Sequence, residues 1–223
     1  MCFSAEADVV AGLVVGAIGI DALRHVRRRA ELPLAAIPAV LAAHQLIEAV
    51  VWRGLDGQVP SAVWRTSLWL YLAIAFGVLP VLVPVAVGAL EPLANRRRVA
   101  VFAAIGVTVA SVLMYAVVRG PILATIDGHH IAYSVDLWHG GLIVFLYVIA
   151  TCGSMLVSKH QHVRWFGMVN LVAVGFLAVL NQSGLISLWC AWAAVTSVAI
   201  AVHLRHSHPT PSPRAAVPEG APG

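Results

Sequence analysis

The chain has 223 residues, 60% of them hydrophobic and only 11% charged, with a formal net charge of +4 and a mean hydropathy of +0.88. A soluble domain carries about 25% charged residues, so this composition excludes an ordinary soluble protein and names the lipid bilayer as the main partner. The basic excess is no nucleic-acid signal, because the arginines cluster in short connections between apolar runs, where membrane topology explains them.

A membrane-spanning helix needs about 20 mostly apolar residues. Seven segments qualify, at 5–23, 32–52, 67–90, 99–118, 137–157, 165–183 and 186–204. The expected fold is all-α: a seven-helix transmembrane domain over 1–205 and a disordered, proline-rich tail over 206–223.

The first segment does not read as a signal peptide, which needs positive charge ahead of its apolar core. It opens instead with Glu6 and Asp8, and its basic residues (Arg24, Arg27, Arg28, Arg29) follow it. The second segment starts with Pro33 and Pro38 near its first turns, where proline is tolerated. It then carries His44 and Glu48, four residues apart and therefore on one helix face. Ionisable groups inside a span are costly without partners or a task, so this face is expected to look into protein or a cavity. Pro80 and Pro84 are expected to kink the third segment.

Charge orients the segments. The connections after the first, third and fifth segments, with the tail, hold eleven basic residues, whereas the opposite side holds only Arg53, Arg65 and Arg119. The positive-inside rule then puts the amino terminus outside and the carboxyl terminus in the cytoplasm. Tryptophan agrees: Trp52, Trp64, Trp69, Trp138, Trp189 and Trp192 map near the outer boundary, where an aromatic belt is expected. The triplets at Ser67, Asp136 and Ser187, each followed by Leu-Trp, are expected to open three helices there. Asp21 and Glu91 are expected to pair locally with the Arg24 and Arg96 clusters, and Cys152 to pack as a small apolar residue.

This orientation gathers polar residues into one outer layer: Cys2, Asp8, His44, Glu48, His129, His130, Asp136, His139, Asn181, Gln182 and Cys190. Three chemistries fit it. Cys2, His44, Glu48 and Cys190 are ligand types for a divalent metal such as zinc, with Glu48 as general base in an enzyme reading. Glu48 and His44 are also the usual groups of a proton relay or proton-coupled solute transporter, with Asp8, His139, Asn181 and Gln182 as further polar candidates. The third reading is structural: Glu48 paired with Arg53 or Arg65, His44 bonded to Asn181 or Gln182, and a Cys2–Cys190 disulfide on the oxidising side. No Walker loop, GxSxG elbow or dinucleotide fingerprint occurs, so no substrate class is implied.

Four stretches carry a resemblance: Met1-Cys2-Phe3-Ser4-Ala5, the His44–Glu48 run followed by Trp52, the Pro80 and Pro84 region leading to Glu91, and Ser187-Leu188-Trp189-Cys190-Ala191-Trp192. Together they resemble a bacterial multi-pass membrane family of unknown function whose members begin MCFSA. The resemblance covers about residues 1–200 and implies a place in the bacterial plasma (inner) membrane. It also implies that Cys2, the His44/Glu48 helix and the Trp189–Ala194 segment belong together, and it carries no activity.

Overall fold

A computed structural model describes residues 4–128, 130–137, 139–180 and 185–206. These residues form seven helices: α1 (Ala5–Arg24), α2 (Leu32–Leu55), α3 (Ser61–Leu90), α4 (Leu93–Arg119), α5 (Gly140–Leu156), α6 (Gln161–Leu180) and α7 (Leu185–His206). The helices fall on the seven expected apolar segments. Their starts differ. α3 begins at Ser61 behind Pro60, so Ser67 lies inside it, and α5 begins at Gly140, beyond Asp136. The proline-rich tail lies outside the described residues.

The expectation of an all-helical chain is corrected between α4 and α5. Strands β1 (Ile122–Asp127) and β2 (His130–Val135) pair there as an antiparallel hairpin, with Asp127 opposite His130. Gly128 takes a positive φ of 59° in its turn, a region open to glycine without steric cost. The hairpin forms because Ile131, Tyr133 and Val135 alternate with Ala132 and Ser134, putting the larger side chains on one face. Ile131 is fully buried in a cluster with Val51, Trp52, Tyr71 and Leu72, and Tyr133 and Val135 pack against it. The hairpin therefore caps the ends of α2 and α3.

α2 is the central helix, with α1, α3 and α7 packed around it; α4 and α5 pack on α3, and α6 on α5. The α1–α2 approach depends on a small residue. A Cβ on Gly12 would lie 2.7 Å from Leu46 Cγ and 3.3 Å from the Ala42 carbonyl, so a glycine there lets the two backbones meet.

α3 does not break at its prolines. It stays helical through Leu90 and widens into a π-helical turn at Ala73–Val78, just before Pro80. Pro80 lacks the N–H that would bond Phe76, and Pro84 lacks the one for Pro80; the freed Pro80 carbonyl faces Gly106 of α4, where a Cβ would collide with it. A second π-helical turn, Ile149–Gly153, interrupts α5. The two helices are joined here: Tyr147 donates its hydroxyl to the Ala75 carbonyl at 2.9 Å. Cys152 is buried within this turn, as a packing residue should be.

The bundle has two unlike ends. At one, Asp21 of α1 accepts both guanidinium bonds of Arg205 on α7, at 2.7 and 2.8 Å, so its main partner is not the neighbouring Arg24. Glu91, after α3, is buried and bonds Ser158, the Asn95 amide at 2.7 Å and the Lys159 backbone N–H at 3.1 Å. Its carboxyl thereby ties the α3–α4 turn to the α5–α6 turn, while Arg96 Nε donates to the Glu91 backbone carbonyl at 3.0 Å. Arg24, Arg27, Arg28, Arg29, Arg96, Arg97, Arg98, Lys159, Arg164 and Arg205 all lie on this end; Arg53, Arg65 and Arg119 lie on the hairpin end.

Three helices, Arg29–Leu55, Ser61–Leu90 and Leu93–Arg119, are long and apolar enough to cross a membrane. α1 is 20 residues long but carries Glu6, Asp8 and Asp21. The flanks expose large apolar side chains, among them Leu13 and Val14 on α1, Val107 and Val118 on α4, Phe145 on α5 and Phe176 on α6.

Candidate functional site

His44 and Glu48 both point inward from α2. Glu48 is completely buried and His44 nearly so, as expected when an ionisable pair turns away from lipid toward partners. Glu48 Oε1 accepts hydrogen bonds from two tyrosines: Tyr71 Oη on α3 at 3.0 Å and Tyr133 Oη on β2 at 3.3 Å. One turn earlier on α2, the His44 imidazole stacks on the Tyr71 ring, with centroids 3.9 Å apart and planes 20° apart. Tyr71 in turn stacks on Tyr133 at 4.7 Å. Three rings thus form a continuous stack that ends with two hydroxyls on one carboxyl oxygen.

Two more buried polar residues lie at this level. Gln45 follows His44 and is 1% exposed. Asp8, also 1% exposed, is one turn from Gly12 toward the hairpin end. Since Gly12 faces Ala42 and Leu46 and the helices run antiparallel, Asp8 stands opposite the Gln45 to Ala49 turn. Burying this many polar groups is costly unless they satisfy one another.

A cavity of about 330 Å³ adjoins the site, with His44, Gln45, Tyr133 and Tyr147 as its polar wall and Leu41, Phe76, Ile143 and Val148 among its apolar residues. That volume is at the lower end of the range of small-molecule pockets, about 300–1,000 Å³.

Of the residues singled out in the sequence, His44 and Glu48 share Tyr71 as a partner here, and Asp8 is buried on α1. His139 is exposed at the start of α5, with a left-handed φ of 59°. His130 pairs with Asp127 across the hairpin turn at 3.8 Å. Cys2, His129, Asn181 and Gln182, and the side chain of Cys190, lie outside the described residues. Two of the boundary tryptophans turn inward. Trp52 is buried under the hairpin, and Trp192 donates its indole N–H to Asn170 Oδ1 at 2.6 Å between α7 and α6.

The structure adds Tyr71, Tyr133 and Gln45 to the site. Gln45 was legible as a third polar residue in the apolar second segment. Tyr71 sits in a run that reads as a boundary aromatic belt, and nothing local marks it as a partner of Glu48. Among the described residues no group of three or more His, Cys, Asp and Glu is placed to share a metal ion. His44 and Glu48 supply two donors, short of the three or four protein ligands of a zinc site.

A family model described as a family of unknown function (DUF6629) matches residues 1–216, so the chain belongs to that family. No curated protein matches the chain, and no solved structure does.

Proposed function

We propose that this protein is a multi-pass membrane protein that holds and exchanges a proton at Glu48, within a network made by His44, Tyr71 and Tyr133. The carrying observation is the convergence of two tyrosine hydroxyls on one oxygen of a fully buried carboxyl, with an imidazole stacked against the same ring. Each member can donate or accept a hydrogen bond, so the network tolerates a proton gained or lost with small rearrangement. The adjoining cavity gives the site a place for a small co-substrate, which supports proton-coupled solute movement as the working activity.

In this reading the seven helices cross the bilayer, the basic end is cytoplasmic and the hairpin end faces outward. The separation of basic residues between the two ends supports that orientation, and the apolar side chains on the flanks suit lipid contact. The membrane is the plasma membrane.

Infrared difference spectroscopy across a pH titration tests the proton directly. A carboxylic C=O band that appears on protonation and vanishes in Glu48→Gln supports the proposal; an identical spectrum in Glu48→Gln removes Glu48 from the mechanism. Proton flux into liposomes driven by a pH gradient should fall in the same variant. The zinc reading, with Cys2 and Cys190 completing a site on His44 and Glu48, is separated by metal analysis. Stoichiometric zinc in the wild type, lost in Cys2→Ala and His44→Ala, would replace the proton reading.

A further inference from the structure

Toward the basic end the bundle encloses a second and larger cavity, of about 600 Å³, between α2, α3, α5, α6 and α7. Its wall is aliphatic and aromatic, with Leu34, Ile37, Val83, Val163, Phe166 and Ile200 among its residues. The polar side chains along it are largely turned to local partners: Trp192 bonds Asn170, and Thr151 donates to the Tyr147 carbonyl at 2.9 Å. On the flank of the bundle its rim is apolar and open, with Trp165 61% and Val195 57% exposed. A rim of that kind faces lipid more readily than water.

The polar end of the cavity is built from histidines. The His162 ring, at the start of α6, lies 4.5 Å from the His203 ring near the end of α7. His160 is 5.6 Å from His162 and turns its Nε2 toward the Leu90 carbonyl, at 3.3 Å. Lys159 and Arg164 flank these rings in sequence, on the same basic end. An apolar tube with a lateral opening and imidazoles at one end, on the basic side of the bundle, is complementary to a molecule with one long apolar chain and one anionic head.

We propose that this cavity binds one long-chain fatty acid, taken laterally from the adjoining leaflet, with its chain between α2, α5, α6 and α7 and its carboxylate at His162 and His203. A single chain suits a volume within the usual range for one ligand. The carboxylate is favoured because imidazole N–H groups donate to it and the basic end supplies positive potential. The inference rests on the membrane reading above and is independent of the proton site.

The test uses the purified full-length protein in detergent, with cis-parinaric acid as a fluorescent fatty-acid probe and stearyl alcohol as the chain without the charge. Saturable parinarate binding displaced by oleate is expected, with the alcohol competing about tenfold more weakly, as loss of one charge-assisted contact implies. Replacing both imidazoles (His162→Leu with His203→Leu) should weaken parinarate about tenfold, and Ala199→Trp, which fills the cavity, should abolish binding. Equal competition by acid and alcohol, or wild-type binding in Ala199→Trp, overturns the proposal. Since a bulky residue at 199 can itself unfold the bundle, the wild type is also labelled with a diazirine fatty acid. Label on α6 and α7 supports the site, and label confined to other helices overturns it. Alkaline carbonate washing separates the two proposals: a protein released from membranes defeats the membrane reading, whereas a retained protein that binds no parinarate defeats only this one.

Discussion

Tyr133, on the second strand of the hairpin, donates its hydroxyl to Glu48 at 3.3 Å across 85 positions of sequence. The connection between α4 and α5 is thereby fastened to the fully buried carboxyl of the central helix. The hairpin is part of the site, and its position is coupled to whatever Glu48 does.

That coupling is open to measurement. Tyr71→Phe keeps the ring stacked on His44 and removes one donor from Glu48; Tyr133→Phe removes the other. Each should destabilise the protein by about 1–3 kcal/mol, the usual cost of stripping a partner from a buried acceptor. Thermal melts in detergent read this out. The double variant should cost more than the sum of the singles, because both hydroxyls serve one oxygen; strict additivity would mean that they act independently.

The α1–α2 interface predicts an overpacking effect at Gly12. Gly12→Val adds a branched side chain where even a Cβ would sit 2.7 Å from Leu46. A loss of about 1–3 kcal/mol is expected from forced overpacking. Leu46→Ala in the same molecule should restore part of it, and no restoration would show that the strain lies against the Ala42 backbone.

Glu91 makes the basic end sensitive to acid. Burial raises its pKa, but the bonds from Ser158, Asn95 and the Lys159 amide outweigh burial, and the net shift is downward from the ordinary 4.5. A carboxyl whose pKa is lowered on folding stabilises the fold fully above its unfolded pKa and loses that contribution as pH falls through the folded value. Stability should therefore decline below about pH 4.5, and Glu91→Gln should be less stable at neutral pH with a flatter acid limb. Melting temperature as a function of pH provides the check, and an unchanged acid limb in Glu91→Gln would assign the effect to another carboxyl.

Orientation can be tested with single cysteines. Gln58→Cys, exposed in the α2–α3 turn at the hairpin end, and Arg97→Cys, exposed at the start of α4, lie on opposite ends of the bundle. In intact cells an impermeant maleimide should label position 58 and not 97, and disruption of the membrane should expose 97. The reverse pattern would invert the proposed topology.

Several features of the fold were legible in the chain because their causes are local. Apolar run length marks a helix whatever it packs against, and the seven expected segments coincide with the seven described helices. The four-residue spacing of His44 and Glu48 puts them on one face by helix geometry alone, and that face is indeed buried. The hairpin left a legible trace, in the alternation Ile131, Tyr133, Val135 after Gly128, but the trace is short and a reading tuned to membrane helices passes over it.

Local chemistry is enough to mark which stretches are helical, which end gathers the basic residues and which residues are too polar to face lipid. Each follows from side-chain chemistry over one or two helical turns. The distant pairings arise from the assembled bundle: Tyr71 and Tyr133, 23 and 85 positions from Glu48, meet on its carboxyl, and Asp21 takes Arg205 as well as the neighbouring His25. Those pairings depend on the order of helices around α2 and on the close approaches at Gly12 and Gly106. Chain entropy places no local mark on such distant contacts, because the burial that stabilises them exists only once the whole bundle has assembled.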